Sequence, residues 1–177
     1  MKTKALAILF ALFLLTLPVR AQFNKLYDFG SGTDGSEPRF SEIVIDGSVF
    51  YGMTCNGGGL DRGTIFKCNL DGSGYIVLHT FMGGSVDGSF PEGSLVISGT
   101  TLYGMTCNGG ESDLGTIFKI ETDGSGFSLL HSFSDAIADG NNPKGSLIIS
   151  GTTLFGMTEA GGGSSMGTIF KIGIDGS

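Results

Sequence analysis

The chain has 177 residues, 32 of them Gly and none Trp, with a formal net charge of −7 and 15% charged residues. Globular averages are about 7% Gly and about 25% charged residues, so a long coiled coil is excluded, while the 40% apolar content still supplies a core. The negative balance excludes an electrostatic nucleic-acid binder.

Lys2 and Lys4 open the chain, an apolar run follows from Ala5 to Leu17, Pro18 breaks it, and Val19-Arg20-Ala21 ends it with small residues at −3 and −1. This pattern predicts a secretory signal peptide over 1–21, cleaved after Ala21, and places the protein outside the cell or on its surface. The apolar run is too short to be a comfortable bilayer span, which takes about 20 residues. No later segment is apolar enough to be a transmembrane segment. Lys2, Lys4 and Arg20 leave with the leader, so the mature chain, 22–177, is more acidic than the whole.

Self-similarity dominates the mature chain. Leu95 to Thr106 recurs at Leu147 to Thr158, with a looser copy from Ile43 to Thr54. Gly-Thr-Ile-Phe-Lys stands at 63–67, 115–119 and 167–171, each followed by Asp-Gly-Ser at 71, 123 and 175. Leu78-His79-Thr80-Phe81 matches Leu130-His131-Ser132-Phe133 and, degraded, Leu26-Tyr27-Asp28-Phe29. The period is 52 throughout. A fixed period of this size marks a repeat architecture.

Each copy reads as four short strands. In the second copy, strand A is Leu95–Ser98, strand B Thr101–Thr106, strand C Thr116–Ile120 and strand D Phe127–Phe133. Gly99-Thr100 makes the A–B turn, and Asp123-Gly124-Ser125 the C–D hairpin, where Asp-Gly accepts positive φ. Alternation puts Phe127, Leu129, His131 and Phe133 on one face of D. Gly52, Gly104 and Gly156 sit inside strand B, which predicts close approach of another backbone there. Strands apolar on both faces need neighbouring sheets on both sides. The expectation is all-β: a β-propeller-like array of three four-stranded antiparallel blades, with a β-trefoil as the alternative. Residues 22–177 form one repeat domain, in which 23–29 supplies an N-terminal D strand, two full blades follow, and the third contributes strands A–B–C.

Three cysteines, Cys55, Cys68 and Cys107, leave at least one thiol unpaired in an exported chain. Cys55 and Cys107 are copies of one repeat position, usually too far apart for a disulfide, and the reading is plain buried or loop thiols. No C-x-x-C or Cys/His cluster suggests zinc.

The repeated text resembles the GloVer tandem-repeat family of choice-of-anchor exported bacterial proteins. The residues that carry this are Leu102-Tyr103-Gly104-Met105-Thr106, Gly109-Gly110, Gly115-Thr116-Ile117-Phe118-Lys119, Asp123-Gly124-Ser125-Gly126, Leu130-His131-Ser132-Phe133, and Asp139-Gly140 before Pro143. The resemblance implies a secreted or surface-held repeat protein without a defined activity, in a family that often carries a C-terminal sorting signal. No such signal is read in this sequence.

In a propeller the B–C and D–A loops share one face. Here those loops are long and differ between copies: Cys55–Arg62, Cys107–Leu114 and Glu159–Met166, and Gly30–Ser41, Met82–Gly93 and Ser134–Gly145. Binding usually resides in such loops on a rigid scaffold. They are acidic, and Asp34, Asp87, Glu111, Asp113, Asp139 and Glu159 are the candidate ligand-face residues. They suit a basic partner or weak divalent cation binding; no other cofactor is implied and no metal set is defined. Asp34, Asp87 and Asp139 each open an Asp-Gly-x-x-Pro run and read first as loop-shaping residues. His79 and His131 read as hydrogen-bonded strand histidines. No G-x-S-x-G elbow or carboxylate pair identifies a catalytic set. The expected function is a ligand-binding or adhesion module; the alternatives are an extracellular enzyme acting on polysaccharide and a piece of a longer propeller. Open blade edges predict self-association.

Overall fold

A computed structural model describes residues 22–30 and 32–177; the predicted leader lies outside the described residues. Every regular element among them is a strand. The first copy holds β1 (Gly35–Ser36), β2 (Val44–Asp46), β3 (Val49–Thr54), β4 (Asn56–Gly57), β5 (Thr64–Asn69) and β6 (Ile76–Thr80). The second holds β7 (Gly88–Ser89), β8 (Val96–Ser98), β9 (Thr101–Thr106), β10 (Asn108–Gly109), β11 (Thr116–Glu121) and β12 (Ser128–Ser132). The third holds β13 (Gly140–Asn141), β14 (Ile148–Ser150), β15 (Thr153–Thr158), β16 (Ala160–Gly161) and β17 (Thr168–Gly173).

The expected strands A–D form antiparallel sheets in the order β2-β3-β5-β6 and β8-β9-β11-β12, and a three-stranded sheet β14-β15-β17. Three further two-stranded ribbons, β1-β4, β7-β10 and β13-β16, join each D–A loop to the B–C loop of the same copy. Residues 23–29 form no strand; they lie against the first sheet, with Tyr27 stacked on Tyr75 and Phe29 edge-on to Phe66.

Two apolar layers join the sheets. Tyr51, Met53 and Ile65 of the first sheet meet Leu95, Leu102, Phe118 and Ile120 of the second. Tyr103, Met105 and Ile117 of the second then meet Leu147 and Leu154 of the third. Each of these side chains is nearly sealed from water, and burial of this kind contributes about 1.5–3 kcal/mol per side chain.

Two expectations are corrected. The alternation in strand D does not persist, because a bulge displaces Leu130: Ile117 pairs with His131, while Phe118 pairs with Leu129. One residue out of register flips the following side chains to the other face. Phe127 and Leu129 therefore pack towards the first sheet, and Phe133 packs towards the third. The same bulge falls at Leu78. The strand-B glycines face an aromatic ring rather than a backbone. A Cβ on Gly104 would sit 2.5 Å from the Phe118 ring, and Gly52 and Gly156 meet Phe66 and Phe170 in the same way.

Strand A begins where successive sheets come closest. Glu42 N–H donates to Ser94 Oγ (2.7 Å), and Ser94 N–H donates to Ser146 Oγ (2.9 Å), each bond spanning one 52-residue period. Gly93 sits there at φ +142°, where a Cβ would lie 2.2 Å from the Gly145 carbonyl oxygen. Only glycine tolerates both that angle and that approach.

Candidate functional site

In each copy a two-stranded ribbon ties the D–A loop to the B–C loop, and side-chain hydrogen bonds brace both. In each copy an Asp at the start of the Asp-Gly-x-x-Pro run clamps strand D to the loop. Asp87 accepts from Met82 N–H (2.9 Å) and Gly88 N–H (2.7 Å), and meets His79 Nε2 at 3.1 Å. Asp139 accepts from Ser134 N–H (3.0 Å) and Gly140 N–H (2.9 Å), and meets His131 Nε2 at 3.1 Å. An ionised carboxylate only accepts, so both histidines carry their proton on Nε2. In the first copy Tyr27 replaces histidine and donates to Asp34 (2.7 Å), which also takes Gly30 N–H (2.9 Å) and Gly35 N–H (2.8 Å).

These bonds set the titration of Asp139, Asp34 and Tyr27. Burial pushes the Asp139 carboxyl up, but the bonds from His131 and Ser134 outweigh it and hold it below the ordinary carboxylate value. Asp34 is likewise held low against burial by Gly30 N–H and Tyr27. The hydrogen bond to Asp34, then burial and the Asp34 negative charge, push the Tyr27 hydroxyl up to about 12.

The B–C loops use a second Asp. Asp113 takes Gly109 N–H (2.8 Å) and Asp61 takes Gly57 N–H (2.7 Å), both at positive φ, which Asp tolerates. Ser165 has the same conformation in the third copy. A further positive φ recurs at Glu37, Phe90 and Asn142. Phe90 at φ 54° is costly for a bulky residue, and two backbone bonds fix it: its N–H to the Arg62 carbonyl (2.9 Å) and its carbonyl to Cys107 N–H (3.1 Å).

Phe90 lines a groove of about 670 Å³ together with Arg62, Ser85, Asn108, Glu111 and Asp113. A related groove of about 490 Å³ lies beside Asp34, Ser36, Leu60 and Asp61 in the first copy. Glu111 is exposed, anchored only through its backbone N–H to Ser132 Oγ (2.7 Å). Glu159 pairs with Lys144 (2.6 Å).

The candidate ligand-face residues thus divide. Asp34, Asp87 and Asp139 are filled by donors of the chain and position the loops, and Asp113 shapes its own turn. Glu111 keeps a free carboxylate at the groove rim. No group of three or more His, Cys, Asp or Glu side chains converges among the described residues. The cysteines are free and buried, and burial pushes the Cys107 thiol up to about 12. The groove residue Phe90 escaped the sequence reading, because nothing in Ser89-Phe90-Pro91 announces a left-handed phenylalanine.

A family model described as the Gloeobacter/Verrucomicrobia repeat matches residues 11–177. The chain belongs to this family. Membership in the Gloeobacter/Verrucomicrobia repeat family agrees with the repeated text from Leu102 to Pro143. A comparison with curated proteins finds no match. Among solved structures the chain is similar to one in "Crystal structure of Nidogen/Laminin Complex", at 21% identity and a TM-score of 0.45, covering 64% of this chain and 38% of that one. The chain therefore spans under half the length of that relative. No helix among the described residues is long and apolar enough to cross a membrane.

Proposed function

We propose that this is an exported tandem-repeat scaffold, with leader 1–21 removed after Ala21, whose loop face binds an extracellular ligand or surface component of basic character. The observation that carries the reading is the groove between the first two copies. Its walls are fixed by Asp clamps and by the strained Phe90, while the Glu111 carboxylate on its rim makes no hydrogen bond or ion pair among the described residues, its backbone N–H alone being held by Ser132 Oγ. Rigid backbone under variable side chains is how recognition surfaces are usually built. Sheets stacked face to face, each offset by one period, favour a propeller-like arrangement over a trefoil.

An oligolysine peptide is the probe. Titration followed by calorimetry should give saturable binding that weakens with salt, since exposed charge attraction is screened over about 10 Å at 0.1 M. Glu111→Gln should weaken it several-fold, and Asp46→Asn, at the end of β2 next to the A–B turn, should not. Equal binding by both variants, or none at low salt, would overturn the assignment. N-terminal sequencing of the exported chain should begin at Gln22.

A further inference from the structure

The chain carries its own control for the groove at Phe90. The same backbone frame recurs one 52-residue period later. Phe90 N–H donates to the Arg62 carbonyl at 2.9 Å, and Asn142 N–H donates to the Leu114 carbonyl at 2.9 Å. Cys107 N–H donates to the Phe90 carbonyl at 3.1 Å, and Glu159 N–H to the Asn142 carbonyl at 3.2 Å. The neighbouring strands hardly change: Thr116-Ile117-Phe118-Lys119 recurs unaltered at Thr168-Ile169-Phe170-Lys171. The groove side chains do change. Leu114 stands where Arg62 does, Asn142 where Phe90 does, Gly163 where Glu111 does and Ile137 where Ser85 does. A frame that accepts leucine, asparagine and glycine at these positions does not itself require arginine, phenylalanine and glutamate.

Arg62 shows the difference most plainly. Leu114 packs against the apolar layer that joins the second and third sheets. Arg62 instead lines the groove, and its Nη1 donates to the Met82 carbonyl (2.5 Å), which fixes the guanidinium in place. Gly83, at φ +67°, makes room for it, because a Cβ there would collide with Arg62 Nη1. Asp135 holds the position one period after Gly83, where there is no guanidinium to seat.

Arg62 and Glu111 thus line one groove with opposite charges, yet neither makes an ion pair among the described residues. Apart from the bond to Met82, the Arg62 fork has no hydrogen-bond partner among them, and the Glu111 carboxylate has none. A guanidinium presents paired N–H groups that match a carboxylate, and a carboxylate accepts from an ammonium. Phe90 adds an aromatic ring to the same groove, a surface on which a lysine stem or its ammonium lies favourably. The groove volume of about 670 Å³ suits a small ligand.

We propose that this groove binds the end of a peptide whose last residue is lysine, with the free α-carboxylate on Arg62 and the side-chain ammonium on Glu111. The proposal rests on the ligand reading of the same groove and narrows it. Basic character alone engages Glu111, whereas Arg62 repels a ligand that carries only positive charge. A terminal lysine brings both charges and an apolar stem within one residue.

The test uses the purified chain and two probes: acetyl-Gly-Gly-Lys with a free carboxylate, and the same peptide as its C-terminal amide. Calorimetry at low salt should show the free acid binding about tenfold tighter than the amide, the size of one charge-assisted contact. The negative balance of the chain favours the more positive amide, so a preference for the acid reports the local contact with Arg62. Arg62→Leu installs the residue that the chain itself uses at 114, so strand circular dichroism should be retained, and acid and amide should bind equally. Arg62→Gln, which keeps a donor for the Met82 carbonyl, should do the same. Glu111→Gln should weaken both peptides and leave the preference in place. Equal binding of acid and amide by the parent chain, or a preference that survives both Arg62 variants, would overturn the terminal-lysine assignment. If oligolysine still bound through Glu111, the broader ligand reading would stand. Absence of binding by oligolysine and by both peptides would overturn the two together.

Discussion

His79 lies flat on Phe127 of the following copy, with ring centroids 3.9 Å apart and planes 8° from parallel. Its Nε2 is held by Asp87 on the loop, so one side chain couples strand, loop and neighbouring sheet. Aromatic pairs contribute about 0.5–1.5 kcal/mol beyond burial, and a hydrogen bond to a charged group about 1.5–3 kcal/mol. His79→Ala should therefore lower unfolding free energy by about 2–3 kcal/mol in urea titrations. His131→Ala should cost less, because His131 keeps the Asp139 bond and stacks flat on no ring among the described residues.

Gly104 is fixed by the ring of Phe118 rather than by its backbone angle. Gly104→Ala should overpack the second sheet and cost about 1–3 kcal/mol. Gly59→Ala, with nothing within 4 Å of the added Cβ, should stay within about 0.5 kcal/mol of the parent. Thermal unfolding of the two variants side by side checks the contrast.

Thr106 and Thr116 share a hydroxyl bond of 2.7 Å with neither side chain exposed, and the Thr106 hydroxyl donates to the Asn108 carbonyl (2.8 Å). Thr106→Val should cost about 1–3 kcal/mol, since it leaves the Thr116 hydroxyl and the carbonyl unpaired. The double variant with Thr116→Val should cost less than the sum of the singles, with a coupling of about 1 kcal/mol in a double-mutant cycle.

Acid should loosen the loops first. Asp34 and Asp139 titrate below their ordinary value in the folded chain. A depressed folded value means stability that is present above the unfolded carboxylate value of about 3.9 and is lost as pH falls through the folded value. Melting temperature should be level from neutral pH to about 5 and fall below about 4. Asp139→Asn should be less stable at neutral pH and should show a shallower acid fall.

The repeat period, the strand order and the turns were legible because each has a local chemical cause. Asp123-Gly124-Ser125 folds as an Asx turn, with Ser125 N–H on Asp123 Oδ1 at 2.8 Å, and that preference is written in three residues. The loop-shaping role of Asp87 and Asp139 was likewise readable from Asp-Gly-x-x-Pro. The bulge at Leu130 was not, because Phe-Ser-Leu-Leu-His-Ser-Phe fits an unbroken strand equally well, and only pairing with β11 decides where it slips. The ribbons β1-β4, β7-β10 and β13-β16 are two residues long on each side, too short for any periodicity. Phe90 was hidden for a related reason: its conformation is imposed by Arg62 and Cys107, both distant in sequence.

The bonds Glu42–Ser94 and Ser94–Ser146 have a consequence for how such a protein changes length over evolutionary time. Each strand-A start brings an amide to one side and, from the second copy on, a serine hydroxyl to the other. A tandem duplication of 52 residues copied from the second repeat would therefore arrive with both connectors already matched to its neighbours. Unequal exchange between gene segments could lengthen or shorten the array in whole units, and no junction would need a compensating substitution. The near-identity of Leu95–Thr106 and Leu147–Thr158 is the trace such an event would leave.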